Sequence, residues 1–160
     1  MKLRLNIDKA YPEERVSIEG PEMTEEIQQL VSYVDNLGRL TEIKGSIGDE
    51  IYFLDIKDIR SFMSLNKKVY ACTRDTEYRI TYRLYELESA LPTQFVRISK
   101  SEIVNIDAIY KLQLQANGLI RIYFNNVDYT HSSRRYLKLI KERLSLCLLY
   151  TSPSPRDVED

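Results

Sequence analysis

Phe95-Val96-Arg97-Ile98-Ser99-Lys100-Ser101-Glu102-Ile103-Val104-Asn105-Ile106-Asp107-Ala108-Ile109 decides how this chain reads. A β-type run meets a second apolar run through the polar knot Ser99-Lys100-Ser101. Such a break places hydroxyl and amine donors on a rigid scaffold. Donors of that kind suit phosphates and base edges.

Working outward, the flanks are β-rich. Tyr52–Leu54, Val69–Thr73 and Tyr78–Tyr82 are short β-branched or aromatic runs between polar turns. Leu84, Leu87 and Leu91 share one helical face, and Pro92 stops that helix. Residues 109–114 and 119–124 flank Asn117-Gly118, the strongest hairpin signal in the chain. Asn125-Asn126 makes the next turn, and residues 127–130 the last strand. Ser132 or Ser133 then caps a terminal helix whose apolar face is Leu137, Ile140 and Leu144.

The amino-terminal third reads strand, strand, helix. Leu3-Leu5-Ile7 and Val16-Ile18 alternate as half-buried strands do. Thr24 caps a helix that carries Glu25 and Glu26 in its first turn. Ile27, Leu30, Val31, Val34 and Leu37 form its apolar face, and Gly38 follows its end. Residues 40–46 read as a further strand before the turn at Gly48-Asp49. No internal repeat is visible.

The domains expected are an acidic strand/helix extension over 1–44, a β-rich body over 45–146 and a tail over 147–160. The tail, from Cys147, has two Ser-Pro steps and no period. It reads as the translation of a transposase adapter used in sequencing libraries, with Val158-Glu159-Asp160 as index sequence, and is expected to be disordered.

Charge divides the chain. Residues 1–50 hold 6 Lys+Arg against 11 Asp+Glu, whereas residues 51–146 hold 16 against 10. A basic body points to a polyanionic partner. No apolar run approaches the roughly 20 residues that span a bilayer, and no signal peptide opens the chain, so cytoplasmic residence is expected.

Catalytic chemistry has little to draw on. One histidine, His131, and two scattered cysteines, Cys72 and Cys147, make no metal or thiol motif. His131 reads as a surface or capping residue and Cys72 as a buried small hydrophobe. Glu86/Glu88 and Asp55/Asp58 read as solvated carboxylates. There is no phosphate-cradling Gly loop or nucleophile elbow. The expectation is therefore no enzyme, no cofactor, no metal and no small-molecule substrate. Tyr70, Tyr78, Tyr82, Tyr110, Tyr123 and Tyr129 lie on expected strands, where packing or base stacking both suit them. The basic clusters carry more. Asn66-Lys67-Lys68 opens a strand, Lys100 lies in the knot, and Arg134, Arg135, Lys138 and Lys141 line the start of the terminal helix.

From about Gly45 to Leu144 the chain resembles the LytTR-type DNA-binding domain. The resemblance rests on Asp55-Ile56-x-x-Ile59, Tyr85-Glu86-Leu87-Glu88-x-x-Leu91-Pro92, the Phe95–Ile109 segment and Ser133-Arg134-Arg135-Tyr136. It implies a mainly β fold with flanking helices (α+β), an elongated stack of small antiparallel sheets. It also implies a bacterial transcription regulator whose loops and helix start enter successive major grooves of double-stranded DNA, often at paired direct repeats. The contact residues implied are Asn66, Lys67, Lys68, Ser99, Lys100, Ser101, Ser133, Arg134, Arg135 and Lys138. Where that family commonly has His-Arg, this chain has Ser99-Lys100; where it commonly has Glu after Ile59, this chain has Arg60. Residues 1–44 are too short for a receiver domain. In such short, response-regulator-like members the resemblance implies control by a regulatory membrane protein or by expression level; a homodimer on DNA is expected, with the acidic extension over 1–44 as the candidate dimerisation element. Two other readings remain. One is a LytTR-like module that sequesters a regulator without reading DNA. The other is a tyrosine-rich binder of single-stranded nucleic acid.

Overall fold

The structure is a computed structural model that describes the backbone of residues 1–150 and the side chains of residues 1–144. The side chain of Cys147 and residues 151–160 lie outside what is described. The elements are, in order, α1 (Glu25–Asp35), β1 (Glu42–Ile47), β2 (Glu50–Asp55), β3 (Ser61–Leu65), β4 (Lys68–Cys72), β5 (Glu77–Ile80), α2 (Leu84–Ala90), β6 (Phe95–Ser99), β7 (Glu102–Asn105), β8 (Lys111–Leu114), β9 (Ile120–Tyr123), β10 (Tyr129–His131) and α3 (Leu137–Tyr150). Short 3-10 turns lie at Ile56–Asp58, Ile106–Ala108 and Arg134–Tyr136. The mainly β reading with flanking helices holds.

Seven strands form an antiparallel sheet in the order β2-β1-β5-β4-β3-β7-β6, and β10-β9-β8 form a second sheet. The β1–β2 hairpin joins the larger sheet through one register pair, Ser46 opposite Arg79. The buried position 45 takes glycine there because a Cβ would stand 2.6 Å from the Tyr78 Cβ.

The core has two parts, one on each side of β6–β7. On one side Phe62, Ala71, Ile80, Phe95 and Ile103 meet Leu84, Leu87 and Leu91 of the α2 segment. On the other, Val96, Ile98 and Val104 meet Ile120 and Ile122 of the small sheet and Ile140 of α3. The period-two alternation of β6 and β7 therefore serves two cores rather than one core and solvent. Arg60 bridges the layers, its guanidinium 4.6 Å from the Phe124 ring centroid and 3.8 Å from Asp128.

Three expectations are corrected. Leu3-Leu5-Ile7 and Val16-Ile18 form no strand, and every residue from 1 to 20 is exposed. Alternation makes a strand only where a neighbour takes its backbone bonds, and the described chain offers none. Ser61–Leu65 is a strand the sequence did not announce, because it carries no alternation. The chain also holds a short repeat. Asp55 and Asn105 each end a strand and accept a bond from the backbone N–H two residues on, at 3.0 Å, starting a 3-10 turn. Ile59 N–H then returns to the Ile56 carbonyl and Ile109 N–H to that of Ile106, both at 3.1 Å. Three matched positions in five, Asp55/Asn105, Ile56/Ile106 and Ile59/Ile109, are too few to show as sequence periodicity.

Candidate nucleic-acid interface

A two-residue turn of the main sheet joins β3 to β4. Asn66 and Lys67 have φ of 52° and 64°. Two consecutive positive φ values are the type I′ geometry that matches strand twist. Asparagine tolerates this region, whereas lysine occupies it at a cost of about 1 kcal/mol or more. Asn66 and Lys67 are thus the turn itself, and only Lys68 opens a strand. The Asn117-Gly118 hairpin uses a longer loop instead, with Gln115 N–H on the Leu119 carbonyl and Gly118 at φ 85°.

Ser99, Lys100 and Ser101 turn β6 into β7 at the same sheet end. Met63 stands opposite Glu102 in the β3–β7 register, and Ser64 N–H donates to the Ser101 carbonyl at 2.8 Å. Two strand spacings put the β3–β4 and β6–β7 turns about 10 Å apart. Arg97 fixes the second turn. Its Nε donates to the Ser99 carbonyl at 2.7 Å, its Nη2 to the Lys100 carbonyl at 2.5 Å, and its Nη1 pairs with Glu88 on α2. The Ser99 hydroxyl accepts a long bond from Ser101 N–H at 3.3 Å. Lys100 itself stays exposed.

The third segment reaches this end along β6. Ser133 N–H donates to the Ile98 carbonyl at 2.7 Å. Arg134 and Arg135 follow in the 3-10 turn that leads into α3 and are exposed. Arg134 leans towards the β8–β9 loop, with Nη2 3.4 Å from the Asn117 carbonyl. The capping expectation is corrected here. The Ser133 hydroxyl caps nothing, and the buried Ser132 hydroxyl accepts from Ile120 N–H at 3.0 Å. Ser132 is taken by the small sheet because its own N–H already pairs with the Ile120 carbonyl.

The structure thus brings Asn66, Lys67, Lys68, Ser99, Lys100, Ser101, Ser133, Arg134 and Arg135 to neighbouring positions at one end of the strands. Lys138 is exposed one turn further on. Helix α3 then runs away, since Arg143 donates to the Thr93 carbonyl, before the start of β6, at 3.0 Å. Lys141 accordingly lies further from the turns than Arg134 and Lys138, with which it was grouped at the helix start.

Sequence reasoning missed part of this surface. A concavity of about 870 Å³ beside the turns is lined by Lys67, Lys68 and Lys100 together with Arg79, Arg83 and Arg97. No carboxylate lines it. Arg97 pairs with Glu88 on α2, and the groove's own lining offers the other five cations no acidic partner. Arg79 and Arg83 fall on unrelated motifs, and only strand order joins them to Lys67. A second missed cluster lies on the outer face of the small sheet. Arg121 stands 4.5 Å from the Tyr129 ring centroid and donates to His131 Nε2 at 3.3 Å, and Lys111 stands 4.6 Å from the Tyr123 centroid. His131 is thus a surface residue held by an arginine.

The chain matches the family model described as the LytTr DNA-binding domain over residues 49–145. The protein belongs to the LytTR family. It is 47% identical over 146 residues to an uncharacterised HTH-type transcriptional regulator of Staphylococcus aureus strain bovine RF122 / ET3-1. That alignment covers 91% of this chain and 99% of the relative. Homologues carrying the same description in strains MSSA476 and MRSA252 are 45% and 44% identical over the same length and shares. A solved LytTr DNA-binding domain from Bacillus cereus superimposes with a TM-score of 0.62 at 20% identity. It covers 66% of this chain and 97% of that domain, which establishes the shared fold.

Proposed function

We propose that this LytTR protein is a transcriptional regulator that binds double-stranded DNA sequence-specifically through the three segments at the end of its sheet. The observation that carries the reading is their juxtaposition beside a groove lined with six cations and no carboxylate. Lys67, Lys68 and Lys138 dock on phosphates, a contact that releases counterions and depends on salt. Lys100 and Arg134 reach base edges, where arginine reads guanine N7 and O6 in the major groove. Among the described residues at least one strand separates each α-helix from the next, which favours entry of turns and one helix start, rather than a helix-turn-helix, into the groove. Two copies act at paired direct repeats, in the cytoplasm, under a regulatory membrane protein.

Gel retardation with the chain's own upstream duplex tests this, with scrambled duplex and single strand as competitors. Arg134→Ala is expected to cost about 1–3 kcal/mol on the specific site. Lys138→Ala is expected to weaken all duplexes alike and lower the salt slope by about one unit. Equal competition by scrambled duplex would leave no sequence reading. Preferential competition by single strand would instead favour the Tyr123–Tyr129 face, whose ring centroids lie 5.2 Å apart. Absence of any shift would point to the regulator-sequestering module.

A further inference from the structure

The amino-terminal extension is folded without a core of its own. Helix α1 has a capped start, with Thr24 Oγ1 accepting from Ile27 N–H at 3.2 Å, yet it buries no residue. An isolated helix of 11 residues is marginal in water and depends on packing of its apolar face. Leu30, Tyr33 and Leu37 of that segment stand exposed. Before it, Leu3 and Ile7 are 87% and 92% exposed, and Leu5, Val16 and Ile18 are exposed as well. A turn at Asp8 follows the first alternating run, with Ala10 N–H on Asp8 Oδ1 at 2.8 Å, but the two runs do not pair.

The same chain also presents a strand with one side unpaired. β2 is the terminal strand of the large sheet and pairs only with β1. Its Ile51 and Phe53, 65% and 67% exposed, point to one face. Natural sheets rarely leave such an edge uncovered.

We infer that a second copy of this chain fills both vacancies, the residue 3–7 run of each copy adding as a strand to the β2 edge of the other. The inference deepens the two-copy part of the proposed reading, and rests on that part alone. Strand addition satisfies backbone donors and acceptors on both partners while alternate side chains pack. A copy is the occupant that matches, because each chain carries an unpaired donor run and, at β2, an unpaired edge that bears exposed apolar side chains to receive it. A reciprocal exchange uses both and closes with two-fold symmetry. Reach is sufficient, since the 17 residues between Ile7 and Glu25 span up to about 55 Å when extended. The area fits as well. The five apolar side chains of the contact, Leu3, Leu5, Ile7, Ile51 and Phe53, at about 100 Å² each give roughly 1,000 Å² for the pair, the threshold of a specific interface.

Light scattering or sedimentation of the full chain without DNA tests this. The wild type is expected as a dimer at about 10 μM. A donor variant, Leu5→Pro with Ile7→Glu, and an acceptor variant, Ile51→Lys with Phe53→Lys, are each expected as monomers whose circular dichroism differs from wild type only by the loss of the added strand. These positions are exposed, so the fold does not depend on them. Mixing the two variants restores one intact donor–acceptor contact, so a mixed dimer is expected. A monomeric wild type, a dimer indifferent to both variants, or a mixture that stays monomeric would each overturn the inference. Binding of the variants to a duplex carrying a single half-site is read separately, so failure of the dimer and failure of DNA binding are distinguishable.

Discussion

Replacing Arg97 by Met probes how the turn carrying Lys100 is held. The change keeps an unbranched apolar stem and removes the guanidinium, which lies 5.8 Å from the Tyr136 ring centroid. Arg97 makes two bonds to turn carbonyls, at 2.7 and 2.5 Å, and pairs with Glu88. Hydrogen bonds from a charged donor contribute about 1.5 kcal/mol or more each. The Glu88 carboxylate is 46% exposed, so its pairing adds only about 0.5 kcal/mol. Rehydration of the two carbonyls offsets part of this, because the turn lies at the surface. A loss of about 2–3 kcal/mol is expected, which lowers Tm by roughly 5–12 °C for a chain of this size. Calorimetry reads the stability and titration with the upstream duplex reads the affinity. Arg97 acts on DNA by placing Lys100, so Arg97→Met and Lys100→Ala are expected to be non-additive by at least about 0.5 kcal/mol in a double-mutant cycle. A Tm within about 1 °C of wild type, or additivity within about 0.3 kcal/mol, would refute the placing role.

Lys67→Gly is expected to stabilise the fold by about 1 kcal/mol, because glycine accepts the φ of 64° without strain, while weakening DNA binding and lowering its salt slope by about one unit; thermal melts and salt-dependent titrations check both. Glu102→Gln bears on pH. Burial raises the Glu102 carboxyl above its ordinary value, against the lowering effects of the Thr130 hydroxyl and Arg60. A raised carboxyl binds more protons folded than unfolded, so its contribution is fully present below the unfolded value near about 4.3 and is lost as pH rises through the folded value. The wild type is therefore expected to lose stability relative to Glu102→Gln across that window, and parallel urea-melt profiles would contradict the burial argument.

Much of this fold was legible because its signals are local. Leu84, Leu87 and Leu91 fix α2 by their spacing, and Thr24 and Gly38 bracket α1. What escaped depends on distant partners. Leu3-Leu5-Ile7 has strand alternation but no neighbour in its own chain. Ser61–Leu65 lacks alternation yet is a central strand, because β4 and β7 flank it. The candidate site shows the same division. Lys100 and Arg134 were found from their motifs. Arg79, Arg83 and the bracing role of Arg97 emerge only when strand order places β5, α2 and β6 around one groove.

The central claim is that three segments distant in sequence form one DNA-contacting surface. Backbone hydrogen exchange, with and without the chain's own upstream duplex, tests it most directly. Added protection is expected together at Asn66–Lys68, Ser99–Ser101 and Ser133–Arg135, with the outer face of the small sheet unchanged. Protection confined to Tyr123–His131 or to residues 1–44, with those three segments unaffected, would contradict the account.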